Sequence, residues 1–83
     1  MSPTVVVQET ALRALARIRA EDPAAFPAIM LALVALAEQP RPDNAVAWGG
    51  SGIYRLHPPG ARVLYEVDER VSTVYIVNVA STA

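Results

Sequence analysis

Two alternating runs on either side of one short bend constrain this chain more than any other feature. Ile53-Tyr54-Arg55-Leu56-His57 leads into Pro58-Pro59-Gly60-Ala61, and Arg62-Val63-Leu64-Tyr65-Glu66-Val67 leads out of it. A short Pro/Gly connection between two runs rich in aliphatic and aromatic residues is a hairpin signal. It predicts the pairs His57–Arg62, Leu56–Val63, Arg55–Leu64, Tyr54–Tyr65 and Ile53–Glu66. Side chains alternate across a strand, so Tyr54, Leu56, Val63, Tyr65 and Val67 are expected on a buried face. Arg55, His57, Arg62 and Glu66, with Ile53 and Leu64, are expected on the other. A slip of one residue would scatter that polar set.

The rest of the chain supplies a cover for such a hairpin. Thr4-Val5-Val6-Val7-Gln8 reads as a strand. Thr10 is placed to cap a helix over Ala11 to Ala20, with Leu12, Leu15 and Ile18 on one stripe. A second helix is expected to run to about Glu38, with Phe26, Ile29, Met30, Leu33, Leu36 and Ala37 on its apolar face. Pro27 is tolerated only in a first turn, which moves the start from Pro23 towards Ala25. Pro40-Arg41-Pro42 ends the helix. Asp43 to Gly52 reads as a loop, and a last strand is expected from about Thr73 to Val79. The order β-α-α-β-β-β is an α+β domain spanning 1–83, with two helices packed on one face of a small, mainly antiparallel four-stranded sheet.

Composition removes several functions. With no Cys there is no disulfide, no thiolate nucleophile and no Cys-based zinc site, and one His builds no multi-His metal centre. A hydrophobic fraction of 53% and a net charge of −1 argue against disorder, and the charge argues against general nucleic-acid binding. The longest apolar run, Ala24 to Ala37, contains Pro27 and falls short of the ~20 residues a membrane span needs. The first residues lack a basic start and an apolar core, so a cytoplasmic protein is expected. Gly49-Gly50-Ser51-Gly52 is not a phosphate-binding P-loop, because no Lys follows and a strand comes next. Ser51 has no local base to activate it.

The polar face of the hairpin suits phosphate chemistry. Guanidiniums hold a phosphodiester bidentately and stabilise charge that grows as it is cleaved. An imidazole titrates near neutral pH and moves protons. Arg62, Arg55 and His57 are therefore the candidate catalytic residues. The same pattern also fits an Arg55–Glu66 cross-strand ion pair and a solvated His57 beside the bend. Trp48 reads as a contact anchor or as a lid over the core edge. Arg13, Arg17 and Arg19 read as a solvated helix face or as a phosphate-facing patch.

Ile53-Tyr54-Arg55-Leu56, then Gly60-Ala61-Arg62-Val63-Leu64-Tyr65-Glu66-Val67-Asp68, then a Val/Ile-rich last strand resemble the RelE/ParE superfamily of toxins from bacterial type II toxin–antitoxin systems. Glu38-Gln39-Pro40-Arg41-Pro42 and the Gly-rich lead-in resemble it too, so the similarity covers nearly the whole chain. The resemblance implies a cytoplasmic toxin held inactive by an antitoxin peptide or protein. It implies, for the RelE branch, metal-independent cleavage of mRNA on the ribosome, with no cofactor and with the 2′-hydroxyl attacking the adjacent phosphate. Arg62 matches the family's phosphate-contacting Arg, Arg55 follows the strand Tyr where a basic residue stands, and His57 falls near a second basic position. For the ParE branch it implies binding to DNA gyrase without nuclease chemistry. Here no basic residue follows Arg70 and the net charge is −1, which favours a protein that acts by binding. The apolar last strand further predicts a partner segment or a second copy, as in a homodimer, over the open sheet face near Leu64 and Val74 or Tyr75.

Overall fold

The computed structural model describes residues 2–50 and 52–82; Ser51 therefore lies outside the described residues. Eight elements follow one another: β1 (Thr4–Val7), α1 (Glu9–Glu21), a 3-10 turn (Pro23–Ala25), α2 (Phe26–Leu36), β2 (Val46–Ala47), β3 (Ile53–Leu56), β4 (Ala61–Asp68) and β5 (Thr73–Ser81). The strands form one sheet in the order β1-β5-β4-β3-β2, with β1 parallel to β5 and every other pair antiparallel. Both helices cover one face, α1 against β5 and α2 against β4. This is the expected α+β arrangement with five strands instead of four. The extra strand is β2, in the segment read as loop. Two residues are too few to show an alternating pattern, so only the pairing with β3 reveals it.

The hairpin has the expected register: Ile53 pairs with Glu66, Tyr54 with Tyr65, Arg55 with Leu64 and Leu56 with Val63. The ladder stops one pair early, so His57 lies outside it and is exposed. Leu56, Val63 and Tyr65 are buried under the helices, with Ile29, Leu33 and Leu36 of α2 and Ala11, Ala14, Leu15 and Ile18 of α1. In β5 the pairing shifts: Leu64 pairs with Asn78 but Tyr65 with Ile76. That bulge absorbs Val77 and lets Ile76 and Val79 both face the core.

Three expectations on the helices need correction. α1 starts at Glu9 behind Gln8, which makes no side-chain cap, so Thr10 is a first-turn residue and not the cap. Leu12 is 54% exposed, because the contact with the sheet is made by Ala11 and Ala14 beside Leu15 and Ile18. Small side chains let the helix approach the strands closely, which turns the stripe away from Leu12. α2 ends at Leu36, just short of the expected boundary; its start at Phe26, with Pro27 in the first turn, is as expected.

Val74 is fully buried on the helix side, so it is Tyr75 that shares the open face with Leu64. Both are half-buried. The most exposed large apolar side chains are instead Leu31 and Val34, on the outer side of α2.

Candidate functional site

The open face is built by the β3–β4 register and by the β5 bulge. Strand alternation puts Arg55 of β3 and Arg62 and Leu64 of β4 on that face. The bulge adds Asn78, opposite Leu64. β2 adds a fifth group. Val46 pairs with Arg55 and Ala47 with Tyr54, and the Trp48 amide then donates to the Ile53 carbonyl at 2.9 Å. Trp48, two residues after Val46, thereby comes to the same side as Arg55. The Arg55 guanidinium carbon lies 5.2 Å from the Trp48 ring centroid, a cation–π contact.

These residues line one cavity of about 320 Å³: Trp48, Arg55, Arg62, Leu64, Asn78 and the Val79–Ala80 segment of β5. Arg62 is exposed, and among the described residues its side chain has no hydrogen bond or ion pair. The Nε of Arg55 is buried and has no hydrogen-bond partner among the described residues. Such an atom is costly to leave unpaired. Asn78 accepts a 2.9 Å bond at Oδ1 from the Val79 amide, which leaves its two amide N–H groups as donors. The cavity thus offers cationic and neutral donors, an aromatic ring and no carboxylate.

Of the sequence candidates, Arg55 and Arg62 are brought together on this cavity. His57 is not among its lining residues and follows the end of β3. The alternative Arg55–Glu66 ion pair does not form among the described residues; Glu66 is exposed and Arg55 stacks on Trp48 instead. Trp48 is the residue whose importance the sequence understated. Its signal was Val46-Ala47-Trp48 as an apolar run preceding the glycines. Asn78 carried no signal, because its face depends on the bulge.

A second polar cluster braces the other side of the hairpin. Tyr54 and Tyr65 stack with centroids 5.7 Å apart. The Tyr65 hydroxyl donates to the Pro40 carbonyl at 2.8 Å, and Arg41 Nε donates to the Tyr54 hydroxyl at 2.7 Å. Arg41 also pairs with Glu69. The Tyr54 hydrogen bond is the leading cause, ahead of Glu69, that holds the Arg41 guanidinium above its usual pKa. Burial pushes the Tyr65 phenol up to about 12, helped by Tyr54 and opposed by Arg41. This cluster ties the segment after α2 to the sheet.

Among the described residues no group of three His, Cys, Asp or Glu is placed to hold a metal ion. No described helix is long and apolar enough to cross a membrane.

No protein-family model and no curated protein sequence matches the chain. Solved structures do. The toxin–antitoxin complex RelBE2 of Mycobacterium tuberculosis matches over 98% of this chain and 99% of that one, at 23% identity and a TM-score of 0.80. The isolated RelE toxin of E. coli matches over 99% of this chain and 86% of that one, at 20% identity and a TM-score of 0.81. The archaeal RelE–RelB complex of Pyrococcus horikoshii OT3 matches over 100% of this chain and 98% of that one, at 19% identity and a TM-score of 0.81. Together with the strand order and helix placement, these matches show that the chain has the fold of the RelE toxins.

Proposed function

We propose that this chain is the toxin of a cytoplasmic type II toxin–antitoxin pair. It acts on ribosome-bound mRNA through the cavity shared by Arg55 and Arg62. The observation that carries the reading is the convergence of two guanidiniums, one without a partner and one with a buried unpaired Nε, on one cavity of about 320 Å³. Two such groups fit the non-bridging oxygens of a phosphodiester and the charge that builds on them during cleavage. In that reaction the 2′-oxygen attacks the adjacent phosphorus, the bond to the 5′-oxygen breaks, and a 2′,3′-cyclic phosphate and a 5′-hydroxyl result. The 2′-hydroxyl loses a proton and the departing 5′-oxygen gains one. His57, one residue beyond β3, is the group proposed to assist that transfer.

The fold of toxins solved with RelB antitoxins supports an antitoxin partner, and the outward Leu31 and Val34 of α2 offer apolar area for a partner to cover. Co-purification with the product of the adjacent gene tests this part. Expression in cells, with mapping of mRNA ends on ribosomes, tests the reaction. New ends bearing a 5′-hydroxyl are expected with the wild type and not with Arg62→Ala.

A second reading, a toxin-fold protein that acts by binding alone, is favoured by one observation. Among the described residues the cavity is lined by no His, Asp or Glu that could serve as a general base; its polar members are Trp48, Arg55, Arg62 and Asn78. Growth inhibition with intact mRNA, together with loss of supercoiling by gyrase, would select it.

A further inference from the structure

Trp48 gives the two-arginine cavity something a phosphate site does not need. The geometry points to a nucleobase-stacking position at Trp48, so that the cavity binds single-stranded RNA by one base as well as by the phosphate next to it. This inference rests on the RNA reading above and adds to it the residue that makes the base matter.

Four observations carry it. Trp48 lines the same cavity as Arg55 and Arg62. It is the chain's one Trp, it is 46% exposed, and it is not among the side chains packed against the core. A ring that served to cover the core would pack against it. Trp48 is held in place rather than loose: its amide is bonded to Ile53, and β2 fixes its approach to Arg55. Lastly, the Arg55 guanidinium stacks on it at 5.2 Å, so the ring and the cation already form a layered pair. A base stacks on such a pair without regard to its identity, because every base has a π-face and a cation beneath the ring strengthens the layer. The Asn78 N–H groups, on the same cavity, are left to donate to an acceptor on the base edge or the sugar. The size agrees. A cavity of about 320 Å³ is at the small end of ligand sites, ~300–1,000 Å³, and suits one nucleotide unit rather than several.

The single Trp makes the test direct, because its fluorescence reports this site alone. The full chain is titrated with a single-stranded oligoribonucleotide of about eight residues, with an abasic ribose-phosphate chain of the same length, and with inorganic phosphate. Binding is read by Trp emission and by an independent anisotropy label on the nucleic acid. The base-bearing chain is expected to shift Trp48 emission saturably and to bind about tenfold or more tighter than the abasic chain. Trp48→Ala is expected to bind both chains equally, at the abasic level, and Trp48→Phe to keep part of the difference. Equal binding of the two chains by the wild type, or a difference that survives in Trp48→Ala, overturns the stacking position. If Arg62→Ala still weakens both chains in that case, the phosphate reading stands and only the base position falls. If neither chain binds the wild type, both fall together.

Discussion

Tyr54 and Tyr65 face each other across β3 and β4, their rings stacked at 5.7 Å and inclined by 24°. This pair sets the register of the hairpin on the covered face, and the register sets what appears on the open one. Because alternation is strict, a Tyr54–Tyr65 match on one side requires Arg55 and Arg62 on the other. The aromatic stack is therefore a positioning device for the cationic cavity, although neither tyrosine lines it.

Removing the Tyr65 hydroxyl tests how firmly that device is anchored. Tyr65→Phe keeps the buried ring and the stack but loses the 2.8 Å bond to the Pro40 carbonyl. A loss of about 1 kcal/mol is expected. In a domain of this size that lowers the thermal midpoint by about 4–8 °C. Tyr65→Ala, which empties a fully buried ring site, is expected to cost about 3–5 kcal/mol and to leave little folded protein.

The same phenol gives a pH signature. Its pKa is pushed up to about 12 in the fold, first by burial and then by Tyr54, against 10.0 for an ordinary tyrosine. Between those values the unfolded chain has lost the proton and the folded chain still holds it. Stability is then level below pH 10 and falls as the pH rises towards 12. Urea midpoints measured from pH 8 to 11.5 are expected to drop above pH 10 in the wild type and to drop less in Tyr65→Phe.

Two glycines with left-handed backbones are expected to respond differently to alanine. Gly52, at φ +82°, would carry a Cβ 3.0 Å from the Val67 carbonyl oxygen. Its own carbonyl accepts the Val67 amide at 2.8 Å, so neither the turn before β3 nor β4 can retreat without losing that bond. Gly60, at φ +74°, would meet only the Ala25 methyl at 3.9 Å, an ordinary contact. Gly60→Ala is expected to cost about 1–2 kcal/mol from the dihedral alone. Gly52→Ala is expected to cost more, with the midpoint of chemical unfolding as the readout.

The two arginines of the cavity differ in what they do for the fold. Arg62 is exposed and unpaired among the described residues, so Arg62→Ala is expected to change stability by less than about 0.5 kcal/mol. Arg55 lies against Trp48, and Arg55→Ala is expected to lose roughly 0.5–1 kcal/mol of cation–π contact. Arg55→Ala should also change the Trp48 emission maximum in the free protein, whereas Arg62→Ala leaves its stacking partner in place.

The hairpin was legible because its information is local: a Pro-Pro-Gly bend and two alternating runs fix register and faces at once. The helices were legible in number and cover, yet Leu12 and Thr10 were misassigned. Alanines decide which stripe of α1 packs most closely, and they give a weak hydrophobic signal. β2 and Asn78 were not legible at all. The first is defined only by pairing to β3, and the second by a bulge opposite Leu64, so both depend on contacts distant in sequence. The cavity was therefore half visible: Arg55 and Arg62 from alternation and Trp48 as one of two readings, but the place of Trp48 beside Arg55, and Asn78 altogether, only from the assembled sheet. His57 shows the limit of extending a register past its last pair, because the strand stops at Leu56.

The most direct measurement is the salt dependence of RNA binding by the wild type and by the Arg55→Ala/Arg62→Ala double variant. Each phosphate contact on a single strand contributes about 0.7 to the slope of log affinity against log salt. Two guanidiniums acting on one phosphodiester predict a double-variant slope shallower by about 0.7, with weaker binding at low salt. An unchanged slope and affinity in the double variant would contradict the account.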